Sequence, residues 1–68
     1  MAKSIMTAAD ILFNVEGRPY EVALATARDL EKSGKVSLSI IKMHGTLIIH
    51  GSNGLVVFEK DGSAEIFN

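Results

Sequence analysis

Val36-Ser-Leu-Ser-Ile-Ile-Lys-Met-His-Gly-Thr-Leu-Ile-Ile-His-Gly-Ser-Asn-Gly-Leu-Val-Val-Phe-Glu-Lys-Asp-Gly-Ser-Ala-Glu-Ile-Phe-Asn68 is the stretch that decides the fold. Four apolar runs alternate with glycine-bearing breaks at His44-Gly45, Gly51-Ser52-Asn53-Gly54 and Asp61-Gly62. β-Branched and aromatic runs bounded by such turns predict antiparallel hairpins. The expected structure is an up-and-down meander with strands near Val36–Ile41, Thr46–His50, Leu55–Lys60 and Ala64–Phe67. In the first, Val36, Leu38 and Ile40 alternate with Ser37, Ser39 and Ile41, one buried face and one mixed face. The central strands differ. Leu47-Ile48-Ile49 and Leu55-Val56-Val57-Phe58 are apolar at successive positions, so both of their faces are apolar. One helix covers one face of a small sheet. The other face then needs the N-terminal segment, a second subunit or a target protein.

Upstream, Tyr20, Ala23 or Leu24, Ala27 and Leu30 form an apolar helical stripe. Pro19 suits a helix start and Gly34 the residue just past its end. A variant begins the helix later, over 27–33, with Tyr20–Leu24 as a strand; both variants share 27–33. Before this, Thr7-Ala8-Ala9-Asp10 resembles a capping box with Asp in place of Glu or Gln. Yet Ile11, Phe13 and Val15 alternate with Leu12, Asn14 and Glu16, the period of a strand. The alternation favours a strand over 10–16 ahead of a short helix, with a turn at Glu16-Gly17-Arg18-Pro19. The fold class expected is therefore α+β, one domain over residues 1–68, with four to five antiparallel strands and one helix packed on one face.

A chain of 68 residues without cysteine has no disulfide or thiolate–metal site to supplement a small core. Hydrophobic residues make up 47% of it and mean hydropathy is +0.24, which favours association with itself or a partner. Seven basic residues face eight acidic ones, for a net charge of −1. That balance argues against nucleic acid as the main partner, since phosphate binding rests on a basic excess. No apolar run approaches the roughly 18 residues of a membrane span. Residues 1–6 lack the apolar centre of a signal peptide. The expected location is the cytoplasm, consistent with the absence of cysteine.

No residue set stands out as chemistry. His44 and His50, with Asp61 as a third ligand, lack the spacing of a metal site, and hairpin-end histidines are commonly solvated polar residues. Ser33-Gly34-Lys35 is not a phosphate loop: Asp29 replaces the first glycine, Val36 the Ser/Thr, and a strand follows where a helix is needed. No serine has an assignable His–acid partner. The expectation is no enzyme, no cofactor and no metal. Arg28, Lys32 and Lys35 are spaced to form a basic ridge along the helix and its exit, although Asp29 and Glu31 lie close enough to cancel it. Ordinary solubilising charge explains the same residues. If they act together, the ridge meets an acidic protein surface or a nucleic-acid backbone.

Several short signals occur in a suggestive order: Glu16-Gly17 and Glu21 before the helix, Ala27-Arg28 and Leu30 within it, His44-Gly45-Thr46, Asn53-Gly54-Leu55, and Lys60-Asp61-Gly62. In this the chain resembles small phage anti-CRISPR proteins that inhibit type I-F systems, which are built as a curved antiparallel sheet with one helix. The resemblance implies a non-enzymatic inhibitor in the host cytoplasm. It would sit along the repeated subunits of an RNA-guided surveillance complex and block target-DNA pairing. Arg28 matches a basic helix position of that family; Asp29 and Ser63-Ala64 depart from it. The partner-binding residues expected are Arg18, Arg28, Lys32, Lys35 and Lys42, facing a large protein or ribonucleoprotein complex of the host. Two other expectations stand beside this one. The first is a homo-oligomeric domain, a homodimer for instance, that uses the apolar sheet face. The second is a weak nucleic-acid binder.

Overall fold

The structure, a computed structural model, describes residues 5–68; the expectation of no leader falls partly on residues 1–4 and lies outside them. The element order is α1 (Ala8–Val15), α2 (Tyr20–Lys32), β1 (Ser37–Ile41), β2 (Thr46–His50), β3 (Leu55–Phe58) and β4 (Ala64–Phe67). The four strands form one antiparallel sheet in the order β1-β2-β3-β4. The meander and its turns therefore stand as the glycine spacing predicts, within an α+β fold.

The N-terminal segment is a correction. Residues 8–15 form a helix, where the alternation of Ile11, Phe13 and Val15 favours a strand. The described residues thus form two helices and four strands. The capping signal is the one that holds: Thr7 Oγ1 accepts the Asp10 N–H at 3.2 Å. Within α1, Ala8, Ile11 and Val15 fall at i, i+3 and i+7 and are buried, whereas Phe13 is 84% exposed. An apolar run such as Ile11-Leu12-Phe13 satisfies both periods, so burial of one helical stripe decides between them.

Helix α2 takes the longer of the two extents, beginning after Pro19. Ala23 and Ala27 face inward with no exposure, which lets the helix backbone approach the sheet closely. Its end is a Schellman motif: Lys35 N donates to Leu30 O at 3.0 Å and Gly34 N to Glu31 O at 2.9 Å. Gly34 sits at φ +76°, a conformation that other residues reach only at a cost. Ser33-Gly34-Lys35 is thus a helix terminus.

The strand register assigns the sheet faces. Leu47 pairs with Phe58 and Ile49 with Val56, so these four point one way. All four have no exposure and share one core with Ala8, Ile11, Val15, Ala23 and Ala27. Both helices therefore lie on this inner face, α2 over β1 and α1 over β3 and β4. Tyr20 closes one end of the core against Phe58, with ring centroids 6.3 Å apart.

At the other end the β2–β3 turn clasps α1. The Asn53 side chain accepts the Ala8 N–H at 2.9 Å, and Ser52 N donates to Met6 O at 2.8 Å. Gly51 is the contact point. A Cβ there would lie 2.5 Å from Met6 O and 2.9 Å from Ile11 Cδ1. None of the non-glycine residues described has a positive φ, so Asn53 serves this turn as a helix cap and does not adopt the left-handed conformation that Asn-Gly suggests.

Candidate functional site

With both helices stacked on one face, two broad surfaces point outward: the outer side of α2 and the outer face of the sheet. The first carries Glu21, Leu24, Ala25, Arg28 and Asp29, which line a shallow open depression. Lys32 follows Arg28 one turn later, and both are exposed. Glu21, Ala25, Arg28 and Lys32 share one outward stripe opposite the buried Ala23 and Ala27, with half-buried Leu24 at its margin packed against the core.

The expected partner-binding residues divide between the ends of this helix. Arg28, Lys32 and Lys35 lie along its C-terminal half and exit. Arg18 precedes α2 and donates from Nε to Asn14 O at 2.8 Å, so its guanidinium is partly held by α1. Lys42 lies in the β1–β2 turn, which the Tyr20 hydroxyl approaches at Gly45. Tyr20 starts α2, and the helix spans roughly 20 Å at 1.5 Å per residue. Arg28 and Lys32 stand one turn apart, Lys35 follows at the helix exit, and Lys42 lies at the far end. Asp29 and Glu31 are exposed between them, so the ridge is mixed in sign.

The outer face of the sheet is the second surface. Register places three rows on it: Ser37, His50, Leu55 and Phe67; Ser39, Ile48, Val57 and Glu65; and Ile41 with Thr46, continuing to Glu59 and Ser63. Ile48, Leu55 and Val57 are half-buried at its centre, and Ile41 and Phe67 are 43% and 51% exposed. Successive apolar residues in β2 and β3 predict this second apolar face, and neither helix lies over it. Its charged side chains are Glu59 and Glu65; no lysine or arginine occupies these rows. Thr46 Oγ1 donates to Glu59 Oε1 at 2.7 Å, which holds that carboxylate at the end of the face.

The histidines are not brought together. His44 sits in the β1–β2 turn and His50 at the opposite end of β2, both exposed. Among the described residues no group of three or more His, Cys, Asp or Glu is placed to hold a metal ion. Asp61, at the His44 end, is occupied otherwise: its Oδ1 accepts the Ser63 N–H at 2.9 Å and the Ser63 hydroxyl at 2.8 Å. The backbone donor first, and the hydroxyl second, hold its carboxyl below the usual aspartate range.

Phe13 and Met43, the latter 87% exposed, are large apolar side chains at the surface; the alternation groups Phe13 with Ile11 and Val15, and the turn assignment passes over Met43. Only the seating of α1 turns Phe13 outward. Among the described residues no helix is long and apolar enough to cross a membrane. Comparison with protein-family models, with curated proteins and with solved structures finds no match for this chain.

Proposed function

We propose that this protein is a non-catalytic binding protein that acts by covering part of the surface of a larger protein or ribonucleoprotein assembly. The observation that carries the reading is the outward stripe of α2, where Arg28 and Lys32 stand exposed one turn apart beside Leu24 and Ala25. An exposed helix stripe with apolar and charged residues interleaved suits a protein groove or patch, with the charges fixing orientation. Glu21 and Asp29 in the same stripe favour a protein surface over a phosphate backbone, which rewards cations alone. Within this class, the resemblance to type I-F anti-CRISPR proteins names a surveillance complex of the host as the target and the bacterial cytoplasm as the place of action.

The test has two levels. Expressed in bacteria with an active type I-F system, the chain is expected to restore plaquing of a targeted phage. Arg28→Glu with Lys32→Glu should abolish that restoration while leaving the circular dichroism unchanged. Failure of the wild-type chain to restore plaquing sinks the anti-CRISPR reading. At the broader level, a tagged chain should capture a large complex from a host lysate, and the double variant should not. Equal capture by both would remove the α2 stripe from the interface.

A further inference from the structure

Asn53-Gly54 and Asp61-Gly62 are the two places in the chain where an Asn or Asp precedes glycine. There the glycine backbone nitrogen can attack the side-chain Cγ before it and close a succinimide ring, because glycine has no Cβ to hinder the approach. The structure separates the two sites. At Asp61 both reacting groups are engaged: Oδ1 accepts the Ser63 N–H and hydroxyl, and Gly62 N donates to Glu59 O at 3.0 Å. At Asn53 the nucleophile is free, since among the described residues the Gly54 N–H donates to no acceptor. Asn53 is exposed to water, and its side chain is restrained by the bond from Ala8 N–H at 2.9 Å. That donor is the first residue of α1, so the restraint lasts only while α1 is seated.

We propose that Asn53 is a deamidation site gated by the seating of α1. The only co-reactant is water. Gly54 N forms a bond to Asn53 Cγ, the Cγ–Nδ2 bond breaks, and Nδ2 leaves as ammonia with the proton that Gly54 N gives up. Water then opens the succinimide. Addition at the former side-chain carbonyl gives aspartate. Addition at the backbone carbonyl gives isoaspartate, whose main chain runs through the former side-chain methylene. The two products act oppositely on α1. The aspartate carboxylate accepts the Ala8 N–H as the amide oxygen does, with its charge at the helix N-terminus. Isoaspartate lengthens a turn that has no slack: a Cβ at Gly51 would lie 2.5 Å from Met6 O, and one at Gly54 2.7 Å from Phe67 O. It therefore unseats α1, and the chain does not return. The site records how often α1 opens, whatever the outward stripe of α2 binds.

Peptide mapping by mass spectrometry, followed over days at neutral pH, measures conversion at Asn53. The urea-unfolded chain should convert at least about tenfold faster than the native one, because local opening limits the native rate. Ala8→Pro deletes the restraining N–H at a helix position that suits proline. Thr7 before it already has the extended backbone that proline requires, φ −76° and ψ 162°. This variant should convert several-fold faster than wild type with its circular dichroism unchanged. Ile11→Val thins the buried stripe of α1 far from Asn53 in sequence, so the intrinsic rate of the dipeptide is unaltered. It should also convert faster, and serves if the proline variant does not fold. The isoaspartyl form, separated by chromatography, should lose hydrogen-exchange protection in α1, and Asn53→Asp should keep it. A native rate equal to or above the unfolded rate overturns the proposal. So do folded Ala8→Pro and Ile11→Val chains that convert at the wild-type rate. An isoaspartyl chain with α1 protected as in wild type overturns the unseating.

Discussion

The two faces of the one sheet carry nearly the same residues and have opposite fates. Ile48 and Ile49 are neighbours of identical chemistry, as are Val56 and Val57. Ile49 and Val56 lie under the helices with no exposure, while Ile48 and Val57 remain part-exposed on the other side. Side-chain character is equal across the pleat, so helix placement makes the difference. Both helices sit on the inner face because both offer stripes that fit it, Ala8–Ile11–Val15 from α1 and Ala23–Ala27 from α2. The comparison teaches that an apolar residue in this sheet is a core residue on one side and a part-exposed one on the other.

The largest break in that comparison comes from truncating each neighbour in turn. Ile49→Ala removes a fully buried side chain and should cost about 2–5 kcal/mol in urea denaturation. That rivals the whole stability expected of a 68-residue domain at about 0.05–0.15 kcal/mol per residue. Ile48→Ala, measured at a concentration where the chain is monomeric, should cost less than about 1 kcal/mol. Equal costs would mean that the outer face is covered within the monomer.

Next in size is the joint that seats α1. Gly51→Ala forces a methyl onto Met6 O and Ile11 Cδ1, and should cost about 1–3 kcal/mol. Hydrogen exchange should show the loss concentrated in α1, with the β2–β3 hairpin retained. A variant as stable as wild type would show that α1 is held by its apolar stripe alone. Asn53→Ala removes the side chain that caps Ala8 N and should cost about 1 kcal/mol in the same denaturation assay. Its effect should fall on the seating of α1 against the inner face.

The smallest expected effect is on Asp61, at the edge of both layers. Its carboxyl titrates below the usual aspartate range because Ser63 donates to the charged form. The depressed value means that its contribution is present above the unfolded-state pKa and is lost as the pH falls through the folded-state one. Carbon-detected NMR should place its midpoint below that of an unstructured aspartate. Ser63→Ala should move the midpoint back up in part, because the backbone donor remains. An unmoved midpoint would remove the hydroxyl from the cause.

Much of the fold was legible before any coordinates. Glycine breaks set the four strands within a residue or two, and Gly34 marked the end of α2. The segment 10–16 was misread because Ile11-Leu12-Phe13 carries no period of its own. Thr7 pointed the right way, but a cap is worth only about 1 kcal/mol, and burial of the Ala8–Ile11–Val15 stripe is what decides for the helix. Of the expected binding residues, Arg28, Lys32 and Lys35 share one end of α2, whereas Lys42 lies in a turn at its other end. Sequence spacing within one helix predicts adjacency; spacing across a turn does not.

The sequence by itself determined which runs could form strands, where the chain turns, and that the central strands are apolar on both faces. Those are local properties, set by φ preferences at glycine and by the two-residue period of the pleat. Only the tertiary structure decided that residues 8–15 form a helix, that Asn53 caps it, and that it joins α2 on the inner face. These outcomes depend on contacts between residues about 45 positions apart, as for Ala8 and Asn53. No local period encodes such a contact, and the bare outer face is its consequence.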